Sequence, residues 1–183
     1  MCGGVLMDTM SVNGKDFTVI KLLGKGKGGY SYLVSDGEHN YVLKQFHHEP
    51  CSYYTFGNKI QSELNDYERL KNAGLRLPKL IDCDVENEGI LKDYIDGKTA
   101  YELVLQNEMK PEYIEQIREM CRLLNPKGIN IDYFPTNFIL NNGLLWYIDY
   151  ECNDYMEEWN FENWGIKYWS KTKEFCEYDE NNK

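Results

Sequence analysis

Three side chains, Asp132, Asn137 and Asp149, stand at the ends of one short apolar segment and could together serve phosphoryl transfer. The segment runs Phe138-Ile139-Leu140, then Asn141-Asn142-Gly143, then Leu144-Leu145-Trp146-Tyr147-Ile148. Asn and Gly tolerate positive φ, so a polar turn between two apolar, aromatic-rich runs predicts a β-hairpin. Folding it back brings Asn137, before the first strand, alongside Asp149, after the second. Asp132 lies five residues before Asn137, in the loop that feeds the hairpin. Two carboxylates and an amide converging on a rigid element suit a hard divalent cation and a hydroxyl nucleophile.

The remainder of the chain must position such a site. Its 183 residues are enough for one domain or for two small lobes around a cleft. A hydrophobic fraction of 42% and an aromatic fraction of 14% supply a packed core and argue against a disordered chain. The net charge of −10 argues against a nucleic-acid partner, because phosphate backbones require clustered Lys and Arg. Residues 149–183 hold ten acids and four bases, which reads as a solvated acidic tail, with a docking surface for a basic partner as the alternative. The six cysteines are scattered without a C-x-x-C pair, and the first residues lack the basic flank of a signal peptide. No apolar run approaches the ~20 residues of a membrane span. Reduced thiols in the cytoplasm, with no membrane partner, are the expectation. His47, His48 and Cys51 make a poor metal site, being three adjacent ligands without a fourth.

Periodicity predicts strands over 17–23, 30–34, 41–46, 78–83 and 89–94, that is, a five-stranded sheet in the first half. A helix over 60–73 should stop at Gly74. The second half turns helical. Thr99-Ala100-Tyr101-Glu102 is a capping-box pattern, Pro111 leads a longer helix, and a last helical stretch is expected over 161–169. The boundary between the halves falls near Asp96-Gly97, giving 1–96 and 97–183.

Between the first two predicted strands lie Gly24, Gly26, Gly28 and Gly29, with Lys25 and Lys27 interspersed. Such a loop lets backbone N–H groups approach phosphates. It lacks the Gly-Lys-Ser/Thr ending and following helix of a Walker loop, and a simple flexible hairpin turn is the alternative. Lys44 shares a strand face with Val42 and Phe46, where a cation needs a counter-charge. Glu63, three residues after Ile60 on the apolar stripe of the 60–73 helix, is the candidate partner, whereas Glu68 falls on the solvated flank. A snorkelling Lys and a surface Glu would be the plainer reading.

In this order the features resemble the protein-kinase-like superfamily. Asp132-Tyr133-Phe134-Pro135-Thr136-Asn137 resembles its catalytic loop. Ile148-Asp149-Tyr150 resembles its metal-binding segment, with Glu151 where Gly would stand. Leu91 to Gly97 resembles its hinge strand. The resemblance spans roughly 17–165 and implies an α+β, bilobal fold, with a five-stranded antiparallel first lobe carrying one helix and a truncated, mainly helical second lobe. It implies ATP and Mg²⁺ as cofactors. Gly24, Gly26, Gly28 and Gly29 would cover the phosphates, Lys44 would hold the α- and β-phosphates, and Glu63 would hold Lys44. Asn137 and Asp149 would ligate Mg²⁺, and Asp132 would orient or deprotonate the acceptor hydroxyl. Backbone around Asp93 and Ile95 would read adenine.

The pattern departs from the family at several positions. Asn130-Ile131 replaces His-Arg before Asp132, Phe134 replaces the Lys two residues after it, and Lys92 occupies a site that is usually apolar. No Ala-Pro-Glu element follows Asp149. The glycine loop admits two registers, Gly24-x-Gly26-x-x-Gly29 or Gly26-x-Gly28 with Ser31 in the third place. The layout is similar to RIO-type minimal kinases and, in part, to choline and aminoglycoside kinases. A serine/threonine protein kinase is therefore the first expectation, and a nucleotide-binding or scaffolding pseudokinase or a small-molecule kinase are the alternatives.

Overall fold

Asn13-Gly14 opens the fold with a tight turn, both residues taking positive φ (47° and 79°). It joins β1 (Thr9–Val12) to β2 (Lys15–Lys25). The computed structural model describes residues 8–26, 28–47 and 59–182. After the first hairpin come β3 (Gly29–Ser35), β4 (Asn40–Phe46), α1 (Lys59–Ala73), β5 (Leu80–Asp84) and β6 (Gly89–Asp93). There follow β7 (Lys98–Thr99), α2 (Ala100–Leu105), α3 (Pro111–Leu124), β8 (Ile129–Ile131), β9 (Phe138–Asn141), β10 (Leu144–Tyr147), β11 (Cys152–Asp154) and α4 (Lys173–Asn181). The fold is thus α+β, with four α-helices among the described residues. None of these helices is long and apolar enough to cross a membrane.

Contacts divide the chain into two compact units. The first takes its residues from 1–62 and 78–94 and holds an antiparallel sheet in the order β1-β2-β3-β4-β6-β5. Six strands replace the expected five. β1 is the addition, and its signal was the Asn13-Gly14 dipeptide following a short β-prone run. The two ends of the strand order meet, because the Asn13 amide N–H donates to Asp84 Oδ2 (2.8 Å) and its side chain to Asp82 Oδ1 (2.9 Å). Hydrogen bonds from Asn87 and from the Asn13 amide hold the Asp84 carboxyl below its ordinary pKa. Val12, Phe17, Val34, Leu43 and Leu91 form the core of this unit.

The second unit takes residues 63–77 and 95–183. Residues of α1 at Tyr67, Leu70 and Ala73 are buried in the expected stripe, and the helix stops at Gly74, whose φ is +86°. The capping box on α2 is complete. Thr99 Oγ1 accepts from Glu102 N (3.1 Å) and Glu102 Oε2 accepts from Thr99 N (2.7 Å), a cap that contributes about 1 kcal/mol. α3 buries Tyr113, Ile117, Met120 and Leu124 against Phe138, Leu145 and Tyr147 of the hairpin.

Two expectations for the C-terminal third are corrected. Of the helical stretch expected over 161–169, only Gly165–Tyr168 is helical, as a short 3₁₀ helix, and 161–164 are turns. A Cβ at Gly165 would lie 2.6 Å from Tyr133 Cβ, so close packing on Tyr133 shapes this stretch. The acidic tail is also not simply solvated. Its last part is α4, whose N-cap Thr172 accepts from Phe175 N (3.1 Å) and whose Phe175 is buried. The burial of one aromatic side chain, of the order of 1.5–3 kcal/mol, offsets the repulsion of a charged helix.

Candidate functional site

In the second unit a two-residue loop, Asn142-Gly143 with φ of 49° and 78°, closes the β9–β10 hairpin with Leu144 opposite Asn141 and Tyr147 opposite Phe138. The turn is one residue shorter than the expected three, and Ile148 rather than Asp149 falls opposite Asn137. Pro135 to Asn137 forms a single 3₁₀ turn ahead of β9. Ile148 N donates to Asn137 O (2.9 Å), which locks the residue before Asp149 to the backbone of Asn137. Asn137 Nδ2 donates in turn to Asp132 O (3.3 Å). Asp132, Asn137 and Asp149 are therefore tied into one hydrogen-bonded constellation.

Each carboxylate is oriented by main-chain amides. Asp132 Oδ1 accepts from Phe134 N (3.0 Å). Asp149 Oδ1 accepts from Tyr150 N (2.8 Å) and from Glu151 N (3.4 Å). Beneath them lies Tyr147, fully buried, whose hydroxyl donates to Glu151 O (2.8 Å). Burial raises the Tyr147 pKa far above its ordinary value, and the charges of Asp149 and Asp132 push it the same way. Tyr147 thus remains a neutral phenol under both carboxylates.

Further supports come from outside the motif. Trp169 Nε1 donates to Tyr133 O (2.8 Å) in the buried interior. The free edge of β10 is saturated. Arg76 donates to Leu145 O (2.8 Å) and accepts at its own carbonyl from Tyr147 N (3.1 Å), while Gln116 accepts from Leu145 N (2.9 Å) and donates to Gly143 O (2.9 Å). Tyr147, Trp169, Arg76 and Gln116 were not singled out in the sequence. Only the aromatic run of β10 hinted at the first. Phe134 sits in an aromatic cluster, 4.6 Å from Tyr178 and 5.1 Å from Tyr168 between ring centroids.

In the first unit the glycine-rich stretch is the tip of the β2–β3 hairpin, with Lys25 opposite Tyr30 and Gly26 N donating to Gly29 O (2.8 Å). Lys27 lies outside the described residues, as do His48 and Cys51. The four glycines are not equivalent. A Cβ on Gly29 would stand 2.5 Å from Gln45 O, so Gly29 permits β3 to approach β4, whereas Gly24 and Gly28 face open space. Lys44 is half-buried on β4, its Nζ 5.3 Å from the Phe46 ring. Asp93 N donates to Lys79 O (2.9 Å), so this amide is committed within the sheet. Lys92 is buried on β6.

Glu63 and Ile95 belong to the second unit; Glu63 is buried and Ile95 half-buried. Glu68, by contrast, is exposed and pairs with Lys71 (3.4 Å). Among the described residues no group of three or more His, Cys, Asp and Glu is arranged to hold a metal ion. The chain matches no protein-family model and no curated protein.

Proposed function

We propose that this chain is a minimal phosphotransferase of protein-kinase-like, bilobal architecture, moving the γ-phosphate of ATP to a hydroxyl, with a protein serine or threonine as first acceptor. The observation that supports this reading most is the Asp132–Asn137–Ile148 hydrogen-bond chain, which gathers an acid, an amide and a second acid around one end of the β9–β10 hairpin. Phosphoryl transfer needs little covalent chemistry from a protein and depends on positioning and charge neutralisation, so few groups suffice.

The donor set fits Mg²⁺. Asn137 and Asp149 offer oxygen only, and Mg²⁺ is commonly held by one or two carboxylates together with substrate phosphates rather than by a closed protein cage. When bound, the ion would neutralise charge on the phosphate oxygens. Asp132 would accept the proton of the acceptor hydroxyl, its carboxylate held in place by the Phe134 amide. Lys44 would contact the α- and β-phosphates with Glu63 as its counter-charge, and Gly24, Gly26 and Gly28 would offer backbone amides to them. Adenine would be read by backbone carbonyls near Asp93 and by the Ile95 amide.

A scaffolding pseudokinase is the second reading, and Phe134 favours it. An aromatic cluster fills the position where a phosphate-contacting Lys stands in the family. Thermal melting with ATP, with and without Mg²⁺, followed by transfer of labelled γ-phosphate to serine-rich protein acceptors separates the two. The enzyme reading expects Mg²⁺-dependent stabilisation and transfer, the first lost in Asp149→Ala. Asp132→Ala should keep the stabilisation and lower turnover about 10²–10⁴-fold. Stabilisation without transfer to any acceptor would establish the scaffold; equal transfer by both variants and wild type would refute the site.

A further inference from the structure

From Gly128 to Ile166 the chain carries no Lys, Arg or His over 39 residues, yet it carries seven acids, of which Asp154 pairs with Arg69 and Glu162 with Arg118. Within this stretch Tyr155, Met156 and Trp159 are large apolar side chains left 37%, 47% and 49% exposed. Exposed aromatic clusters rimmed by polar groups mark interaction surfaces rather than ordinary surface composition.

The backbone that displays these side chains is braced. Tyr155 N donates to Gly128 O (2.8 Å), Trp159 N to Met156 O (3.1 Å), and Asn163 Nδ2 to Glu157 O (2.8 Å). Asn160 Nδ2 reaches Tyr155 Oη (3.1 Å) and accepts at Oδ1 from Asn163 N (2.8 Å). Asn130, itself buried, donates to Trp159 O (2.9 Å), and its Oδ1 accepts from no donor among the described residues. The Trp159 indole is held by Glu158 (2.9 Å) and by Trp164, 5.8 Å away. A surface with its ordering cost already met in the free protein loses less entropy when a partner arrives.

The surface also has a fixed relation to Asp132. In the β8–β11 ladder Cys152 stands opposite Ile131 and Asp154 opposite Ile129. Asp132 and Glu151 lie one residue beyond one end; Tyr155 and Gly128 lie one residue beyond the other. The two ends are about 13 Å apart, the span of about four extended residues.

We propose that the Tyr155–Met156–Trp159 surface docks an arginine-bearing segment of the acceptor protein, about four residues from the hydroxyl presented to Asp132. Guanidinium groups stack on indole and phenol faces and pair with the carboxylates of Glu157 and Glu158, which immediately precede Trp159. The net charge of −10 disfavours nucleic acid, anionic lipid and a second copy of this chain, and favours a cationic partner. The phosphorylation step rests on the phosphotransferase reading; the docking does not.

The test is fluorescence anisotropy of a labelled serine peptide with two arginines four residues from the serine, measured on the full chain without nucleotide. A matched peptide has glutamine in place of arginine. Saturable, salt-sensitive binding of the arginine peptide alone is expected, weakened about tenfold in Trp159→Ala and in the Glu157→Gln/Glu158→Gln pair. Trp159→Phe should recover most of the affinity, and Glu174→Gln/Glu180→Gln on α4 should change nothing. Equal binding of the glutamine peptide, or wild-type affinity in the surface variants, overturns the proposal. So does patch-dependent binding of spermine with none of the peptide, which would make the ligand a small polyamine. If the peptide binds as expected while the chain transfers phosphate to no acceptor, the docking stands and the phosphotransferase reading falls.

Discussion

Two glycine-bearing hairpins, one in each unit, are built on opposite plans. The β9–β10 hairpin turns in two residues and buries Phe138, Leu145 and Tyr147. Its outer edge is stitched by Arg76 and Gln116. The β2–β3 hairpin carries two register shifts and leaves Ile20, Leu22 and Leu23 at least 41% exposed. The first anchors side chains, as the proposed site would require, since donors to a metal and a nucleophile must be held within a fraction of an ångström. The second presents backbone, whose amides can serve a phosphate without side-chain anchoring. The contrast follows from what each hairpin exposes: carboxylates on a buried floor in one, bare main chain at a solvated tip in the other.

The largest test of this contrast is Tyr147→Ala. Emptying the floor under Asp132 and Asp149 should cost about 3–5 kcal/mol in denaturant unfolding. Tyr147→Phe should cost about 1 kcal/mol for the hydrogen bond to Glu151 O. If both variants unfold like wild type, the floor is not rigid.

A smaller effect separates the glycines of the other hairpin. Gly29→Ala forces a Cβ onto the Gln45 carbonyl and should destabilise by about 1–3 kcal/mol. Gly28→Ala meets open space and should stay within about 0.5 kcal/mol of wild type. Equal losses at the two positions would erase the distinction between a packing glycine and a tip glycine.

Smaller again is a pH effect at the end of the rigid region. The Cys152 thiol is pushed up to about 12 by burial, then by the charge of Asp66, to which its sulfur donates. The folded protein favours the neutral thiol, so its contribution is complete below the unfolded thiol value near 8.5 and fades as pH rises from there toward 12. Melting temperature should therefore fall less steeply above about pH 8.5 in Cys152→Ser than in wild type. Iodoacetamide at mildly alkaline pH should label exposed Cys176 and spare Cys152. Prompt labelling of Cys152 in the folded protein would contradict its burial.

The candidate site was legible where chemistry depends on local order. Asp132, Pro135, Asn137 and Asp149 stand in one stretch, and Asn142-Gly143 dictates a turn that brings its ends together. The Thr99 capping box and the Gly74 stop were equally plain, since both satisfy backbone groups a few residues away. The Asn13-Gly14 turn carried the same kind of signal, but so short a strand as β1 is hard to read before its partner is known.

Other features could not be read from neighbouring residues. Trp169 reaches Tyr133 across 36 residues, Arg76 and Gln116 reach β10 across 69 and 29, and Tyr178 of α4 packs against Phe134. Four glycines looked alike in sequence until the approach of β3 to β4 singled out Gly29. Order along the chain determined which groups could act and which turns would gather them, because those outcomes depend on φ, hydrogen-bond reach and apolar period within a few residues. Packing between distant segments decided which side chains hold the site still, because only the closed core reveals what each buried polar atom and each bare Cα must meet.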